Sequence, residues 1–363
     1  MRNGGYHTAA HGWVQRYRCR SCGRYCSDQT ESMHYYAKLS LDLNEVLSRI
    51  RGGESMRDIG REIGCSRTAV AHAIERLGRQ AISCHCALMA GLQFSGSFVF
   101  DGLVSAVTSR DYPSQITTLV EPATEMILAM THCVTERGGR RTAAQRRRIT
   151  RKRLVWRPRV RALRDAIALL VKEIPGFASF HRIVLDIDMN PLYTRVIFAD
   201  LAMRWFASHR LLVLRRTPGS APRTVANRLF AVNYVDRMIR HRVKEHTRES
   251  IALGRNSTMQ MYRMWIFAWD HNVRQPHRVA DPDQRSRALR AGASERLVNR
   301  LIRHFATRRV SLRSTVVPES MRQVWLGQLD TPPVRWKSGQ RASGPAIPGY
   351  AKLDLTFANQ QGP

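Results

Sequence analysis

The chain contains 363 residues, of which 59 are Lys or Arg and 28 are Asp or Glu, so its formal net charge is +31. Hydrophobic residues make up 43% of the chain, which is enough to build a core and excludes a wholly disordered protein. No apolar run approaches the ~20 residues that span a membrane, so we expect no membrane partner. The excess of positive charge predicts a polyanionic partner, and nucleic acid is the leading candidate. The length is typical of two or three domains.

The cysteines suggest a metal site near the N-terminus. Seven cysteines, an odd number, and an N-terminal segment without an apolar run predict a cytoplasmic protein without disulfides. In "RYRCRSCGRYCSDQT", Cys19 and Cys22 have the C-x-x-C spacing that supplies half of a tetrahedral Zn²⁺ site. The other half has three candidates, and the alternative is a degenerate or truncated knuckle; the candidates are His7, His11 and Cys26. We therefore expect a partial zinc ribbon in residues 1–38.

Residues 39–82 have the pattern of a helix-turn-helix domain. Apolar residues at helical spacing predict three helices, separated by Gly52-Gly53 and by Gly64. Ser55 and Ser66 are the expected N-caps of the second and third helices. In a helix-turn-helix the N-terminal part of the third helix reads DNA bases. The residues expected to face the bases are Arg67, Thr68 and His72. The alternative is a plain three-helix bundle, which shares this pattern.

Strands and helices alternate after residue 95. "SFVFDGLVSAV" predicts a strand, "ITTLVEPATEMILAMTHCV" a hairpin, and "VRALRDAIALLVKEI" an amphipathic helix. A strand, "RIVLDID", a helix near 197–206, a strand, "HRLLVLRR", and a long helix over 229–248 follow, and then a further helix, "MQMYRMWIFAWDHNV". This order predicts a mixed sheet with helices on both faces.

A basic stretch interrupts this order. Residues 137–161 contain twelve basic residues and no acid. Such a run is a solvated face, a flexible arm or a segment that follows DNA phosphates. For the last role the candidates are Arg146, Arg147 and Arg148.

Two aspartates stand out in this positive chain. Asp101 lies on the first strand of the expected sheet, and Asp188 ends the strand that follows the hairpin and the helix. If these strands are neighbours, two carboxylates meet at one edge of the sheet, where they repel unless a cation lies between them. Oxygen ligands suit Mg²⁺ or Mn²⁺, and such ions promote phosphodiester chemistry. The alternative is that Asp188 only caps the helix after Pro191.

These segments resemble the insertion-sequence transposases that carry a zinc ribbon, a helix-turn-helix and a ribonuclease-H-like DDE catalytic domain. The resemblance is carried by "RYRCRSCGRYCSD", "FDGLVSA", "DMNPLY", "NRLFAVN" and "RESIALGRN". It implies an α/β catalytic domain over residues 95–275, with a basic insertion at 137–161. It also implies metal-dependent strand cleavage and transfer at the ends of a mobile element, with Asp101 and Asp188 as the first two metal ligands.

The third acid of this family lies on the helix after the last strand, in an N-x-x-x-E-type motif. In "NRLFAVN" Ala231 occupies the position of the Glu. Some relatives use the Asn of the motif, which is Asn227 here. Glu249 is the glutamate in the segment that resembles the family most, so it is the first choice, with Asn227 and Asp236 as alternatives. Arg237 and Arg240 lie on the same expected helix and are candidates for holding DNA phosphates.

The resemblance further implies double-stranded DNA as the partner, a homo-oligomer assembled on DNA, and a prokaryotic nucleoid location. We expect residues 276–331 to form a C-terminal helical extension and residues 332–363 a disordered tail rich in Pro, Gly, Ser and Gln. The altered motif at Ala231 and the incomplete zinc knuckle leave an alternative function. It is a catalytically inactive, transposase-derived regulator that binds DNA.

Overall fold

The computed structural model describes residues 1–178, 182–248, 252–278, 280, 282–310 and 317–334. In this part of the chain the strands are β1 (Arg2–Thr8), β2 (Gly12–Arg18), β3 (Tyr25–Ser27), β4 (Ser97–Val107), β5 (Ser109–Glu121), β6 (Met126–Val134), β7 (Ile183–Asp188) and β8 (Leu212–Thr217). The helices before β7 are α1 (Leu43–Arg51), α2 (Met56–Ile63), α3 (Arg67–Met89), α4 (Ala143–Val155) and α5 (Ala162–Phe177). Those after β7 are α6 (Pro191–Ala199), α7 (Leu201–Ser208), α8 (Phe230–Arg242), α9 (Ser257–Trp269), α10 (Arg287–Arg290), α11 (Glu295–His304) and α12 (Glu319–Trp325).

The first three strands form a small antiparallel sheet in the order β1-β2-β3. Between β2 and β3 the chain makes a tight turn, in which the Cys19 amide donates to the Arg24 carbonyl at 2.8 Å. Gly23 closes this turn with φ +68°, in the left-handed region that favours glycine. The turn therefore presents Cys19 and Cys22 as a compact knuckle.

The next three helices begin and end where local signals in the sequence place them. The Ser55 hydroxyl accepts a hydrogen bond from the Asp58 amide, and the Ser66 hydroxyl accepts one from the Ala69 amide. Gly64 ends α2 at φ +72°. The third helix is longer than expected, because its C-terminal half packs on α9. There Gly78 allows the Tyr262 ring so close that a Cβ would collide with it.

The second sheet has five strands in the order β6-β5-β4-β7-β8. β4, β5 and β6 pair antiparallel, whereas β7 pairs parallel to both β4 and β8. The expected succession of strand, hairpin, helix, strand, helix and strand is confirmed. This mixed sheet flanked by helices is compatible with a ribonuclease-H-like fold.

Helices cover both faces of this sheet. On one face the Tyr193 hydroxyl of α6 accepts a hydrogen bond from Gln115 beside Gly102. On the other face Ser105 bonds His246, which follows α8, at 2.8 Å. One cluster of buried apolar side chains extends from Met33 to Leu326, so α1–α3 share a continuous core with the sheet.

Two expectations about helices are wrong in detail, and a third segment contains a helix that was not expected. The long helix expected over 229–248 ends at Arg242, because Val243 is extended (φ −106°, ψ 94°), and a 3₁₀ turn, Lys244–His246, follows. The helix expected near 197–206 is divided at Asp200, which caps α7 through the Met203 amide. The basic stretch contains α4, which begins with a capping box between Thr142 and Gln145.

The C-terminal extension expected over 276–331 contains α10, α11 and α12. The tail expected over 332–363 lies outside the described residues from 335 onward. In the described part of the chain we find no helix with both the length and the apolar composition needed to cross a membrane.

Candidate active site

Asp101 and Asp188 lie at the same end of two neighbouring strands. The parallel pairing of β4 with β7 ends at Val99 and Asp186, and Asp101 and Asp188 each lie two residues beyond this last pair. Adjacent strands are ~4.8 Å apart, so the two carboxylates lie near the same edge of the sheet. Burial raises the pKa of Asp101 to about 6, and the charge of Asp188 adds to the increase. The two carboxylates are therefore close enough for their charges to interact.

A third carboxylate, Asp236, comes from α8. Its Oδ1 atom is buried and has no hydrogen-bond partner. Burial raises the pKa of Asp236 to about 8, and the charge of Asp101 contributes to the increase. Burying an unpartnered carboxylate oxygen is costly, so this side chain is suited to a cation or a proton donor. The helix thus contributes an acid at the same edge of the sheet.

The other candidates for the third acid do not show this arrangement. The side chain of Asn227 is occupied locally, because it donates to the Pro222 carbonyl and accepts from the Leu229 amide, both at 2.8 Å. Glu249 lies outside the described residues. Asp236, expected only as an alternative, is the described candidate whose charge interacts with Asp101.

Asp186, two residues before Asp188, has a structural partner instead. Arg215 of β8 binds its carboxylate with two hydrogen bonds, of 2.7 and 2.5 Å. Asp186 is 3% exposed and is neutralised by this ion pair. Of the two aspartates of β7, only Asp188 is left to act at the sheet edge.

An open cleft of about 580 Å³ lies over Asp101 and Asp236. It is lined by two acids, four arginines and two aromatic rings, among other residues; these eight are Asp101, Asp236, Arg223, Arg237, Arg240, Arg248, Phe230 and Tyr234. Arg240 is held in place by the carbonyls of His246 and Val104. Such a cleft can hold an anionic chain with guanidinium groups while carboxylates remain next to it.

Gly102 permits the close packing beside Asp101. A Cβ at this position would collide with the side chains of Gln115 and Tyr193. The amide of Gly102 also donates to Oδ1 of Asp101 at 2.7 Å, which orients the carboxylate.

The carboxylates fit a divalent ion by their chemistry. Mg²⁺ and Mn²⁺ prefer oxygen ligands, and two strands and a helix supply three carboxylates here. Oδ1 of Asp236 has no hydrogen-bond partner and could bind such an ion. Among the described residues, however, no three His, Cys, Asp or Glu side chains are already close enough to form a complete metal cage. Asp101, Asp188 and Asp236 would therefore have to move together around an ion.

The N-terminal knuckle provides an incomplete zinc site. Cys19, Cys22 and Cys26 are all exposed thiols. A hydrogen bond with Ser21 is the main cause that lowers the pKa of Cys19 to about 6, which favours the thiolate that binds metals. Two thiols alone do not complete a tetrahedral site, so zinc binding stays a prediction.

The residues expected to contact DNA lie in different environments. Arg67, Thr68 and His72 are exposed at the start of α3. Arg146 and Arg147 are exposed on α4, whereas Arg148 is paired with Asp111 at 2.6 Å. Arg237 is exposed on α8, and its guanidinium carbon lies 5.5 Å from the centre of the Tyr234 ring.

Sequence reasoning did not find Arg223, Phe230 or Tyr234. Arg223 lies in the loop before α8, in a segment without periodicity, and only the fold brings it to the carboxylates. Phe230 and Tyr234 belong to the helix expected over 229–248, of which only the possible acids, amides and arginines were considered. Their spacing of four residues, which places both rings on one side of a helix, was the available signal.

The chain matches no protein-family model. No curated protein shows significant similarity to the sequence. The interpretation of the site therefore depends on its own geometry and on the motifs quoted above.

Proposed function

We propose that the protein is a transposase that cleaves DNA strands and transfers them at the ends of an insertion element, using a divalent metal ion. One observation supports this most: the charges of Asp188 and Asp236 both interact with Asp101, and Asp101 and Asp236 line an arginine-rich cleft. The acids alone would repel a negatively charged phosphodiester substrate. The arginines of the cleft and a divalent ion bound by the acids would offset this repulsion.

Asp101, Asp188 and Asp236 would hold Mg²⁺ or Mn²⁺, which when bound acts as a Lewis acid on the scissile phosphate. Asp188 is oriented by the Asn190 amide, which donates to its Oδ1 at 2.8 Å. Arg223 and Arg240 would bind the phosphates on either side of the cleavage point, because both line the cleft beside the carboxylates. In this proposal Asp236 takes the role that the sequence first assigned to Glu249.

The N-terminal part would bring the DNA to this site. The exposed residues Arg67, Thr68 and His72 support a helix-turn-helix that reads double-stranded DNA, and the exposed arginines of α4 support phosphate contacts. The proposal includes a ribonuclease-H-like catalytic domain, a zinc ribbon completed by further ligands, assembly of copies on DNA, and a prokaryotic nucleoid location.

A second candidate is an inactive DNA-binding regulator derived from such an enzyme. It is favoured by the lack of a complete metal cage among the described residues. Both candidates bind DNA, so only chemistry distinguishes them.

The test is a cleavage and strand-transfer assay with DNA that carries the flanking sequences of the gene. With Mg²⁺ or Mn²⁺ the wild-type protein should cut this DNA, and Asp188→Asn should bind it with unchanged affinity but not cut it. Wild-type binding without cleavage under both metals would support the regulator, and cleavage by the Asp188→Asn variant would refute the metal site.

A further inference from the structure

Two aromatic rings line the cleft beside the carboxylates. Phe230 and Tyr234 lie one turn apart on α8, with ring centres 6.2 Å apart and planes inclined by 23°. Both side chains are only half-buried. Partly exposed, nearly parallel rings in a basic cleft are typical of surfaces that stack nucleobases.

Arg278 fixes this pair of rings from the side of the β5–β6 turn. Its guanidinium carbon lies 4.5 Å from the centre of the Tyr234 ring and 5.8 Å from that of Phe230. Glu125, in the β5–β6 turn, binds Arg278 with both carboxylate oxygens, one of them at 2.8 Å. The Glu125 side chain is 4% exposed, so a buried anion holds the guanidinium against the rings.

Phe230 and Tyr234 do not belong to the face of α8 that packs in the core. The core face of α8 is formed by Val232, Val235 and Ile239, which are fully buried. Phe230 and Tyr234 lie instead on the cleft side of the helix, together with Arg237. The guanidinium carbons of Arg237 and Arg278 lie 5.5 and 4.5 Å from the centre of the Tyr234 ring, and both groups add positive charge where a phosphate chain would lie.

We propose that Phe230, Tyr234 and Arg278 form a stacking platform for an unpaired nucleobase next to the cleavage point. In an intact duplex each base is covered on both faces by its neighbours, so its ring cannot stack on protein. A base that is frayed or turned out of the helix has a free face. The substrate class of the cleft is therefore DNA with an unpaired base beside the scissile phosphate, which deepens the proposed function and rests on it.

The experiment compares binding of three fluorescent probes by the full-length protein at one salt concentration. The probes are a single-stranded oligodeoxythymidylate of about 20 nucleotides, a matched duplex, and the same duplex with one bulged thymine. Tyr234→Ala should weaken binding of the single strand about 5- to 100-fold and abolish the preference for the bulged over the matched duplex. Its affinity for the matched duplex should change less than about threefold.

Two control variants separate stacking from damage to the fold. Tyr234→Phe keeps the ring and should retain wild-type affinity for the single strand. Phe198→Ala removes an aromatic ring of α6 that is 42% exposed and does not line the cleft, and it should change none of the three affinities. Equal loss on all three probes with Tyr234→Ala, or no loss at all, would overturn the platform.

The platform and the proposed function can fail separately. If the wild-type protein does not cut DNA but Tyr234→Ala still loses single-strand affinity, the stacking platform stands and the catalytic proposal is wrong. If Tyr234→Ala keeps single-strand affinity while the wild-type protein cuts DNA and Asp188→Asn does not, the platform is wrong and the catalytic proposal stands.

Discussion

Two aspartates of β7 have the same charge and opposite roles. Asp186 is neutralised by Arg215, whereas the charge of Asp188 raises the pKa of Asp101. Asp236 of α8 also differs from Asp186, because its buried Oδ1 atom has no hydrogen-bond partner, and the effects of changing these two residues on stability can be compared.

We predict that Asp236→Asn raises the free energy of unfolding of the metal-free protein by about 1–3 kcal/mol at pH 7, because the buried wild-type carboxyl must take up a proton on folding and the asparagine amide need not. Asp186→Asn should lower the free energy of unfolding by about 2–4 kcal/mol, because Arg215, which is 39% exposed, then lacks its carboxylate partner. Urea unfolding without metal measures both. Adding Mg²⁺ should then stabilise the wild-type protein more than Asp236→Asn. A loss of stability in Asp236→Asn would show that its carboxylate has a structural partner.

Glu173, on α5, gives the protein a pH-dependent stability away from the site. Burial raises its pKa to about 7, although Oε1 accepts a hydrogen bond from the Ser320 amide at 3.3 Å. The folded protein thus binds this proton more tightly than the unfolded chain does. The stabilisation is fully present below the unfolded pKa, near 4.5, and is lost as the pH rises through about 7.

We therefore expect Glu173→Gln to become more stable relative to wild type as the pH rises from 5 to 8. The difference between their unfolding free energies should change by about 1–3 kcal/mol over this range. Urea unfolding at the two pH values measures this difference. Parallel pH profiles of the two proteins would contradict the assignment.

The residues of the site could be predicted only in part. Asp101 and Asp188 could be identified because each stands at a fixed place on an apolar strand, and strand order then brings them together. Asp236 was ranked below Glu249, because the sequence does not show which residues of α8 face the sheet. That depends on how the helix packs and where it ends. The carboxylate of Asp236 lies beside Val232 and Val235, and only the packed helix shows which way it faces.

At the scale of elements, α4 depends on a single acid. Asp111 of β5 binds three cations, Arg137, Arg148 and Lys152, at 3.1, 2.6 and 2.8 Å. Hydrogen bonds from Arg148 and then Lys152 hold the pKa of Asp111 well below its usual range. Ile149 is the one buried residue of α4, and the other polar links of the helix include an ion pair of Arg153 with the exposed Glu136 and a hydrogen bond from Lys152 to Ser109.

Asp111→Asn should therefore release α4 and leave the rest of the fold intact. The expected result is a faster trypsin cut within residues 143–155, by about tenfold or more, with little change in global unfolding. Mass spectrometry of the early fragments locates the cut. Arg147→Ser, which removes an exposed arginine of the same helix, is the control and should leave the cutting rate at the remaining sites unchanged.

If α1–α3 read DNA as a helix-turn-helix, Arg67 is their most informative residue. It is exposed in the first turn of α3, whose C-terminal half is fixed in the core. We predict that Arg67→Ala weakens specific binding by about 1–3 kcal/mol and leaves non-specific binding nearly intact. Competition between flanking-element DNA and random-sequence DNA measures both. An equal loss on the two DNAs would mean that Arg67 contacts only phosphate.

Local signals gave the ends of α2 and the start of α3, because a serine cap or a left-handed glycine acts within one turn. The capping box at Thr142 and Gln145 was an equally local signal for α4, and it was overlooked in a run of arginines. The end of α3 could not be predicted in this way. The segment "ISCHCALM" continues the helix because it packs on α9, which is distant in the sequence.

At the scale of the whole molecule, a buried acid links the N-terminal helices to α8. Asp270 binds Arg51 at the end of α1 at 2.7 Å and Arg242 at the end of α8 at 3.5 Å. The order of strands and helices predicted the mixed sheet, since parallel strands need crossover helices and hairpins do not. It could not predict that α1–α3 and the sheet share one core, because that contact is made by side chains far apart in the chain.

In the function that we propose, Asp101, Asp188 and Asp236 together hold a catalytic divalent ion. A crystal of the protein soaked in Mn²⁺ and measured for anomalous scattering tests it most directly. We predict an anomalous peak at the C-terminal end of β7, with oxygens of all three aspartates about 2.1–2.3 Å from the ion. A peak bound by Asp101 and Asp188 with Glu249 in place of Asp236 would contradict our assignment of the third ligand. A peak elsewhere, with these three carboxylates unbound at millimolar Mn²⁺, would contradict the site itself.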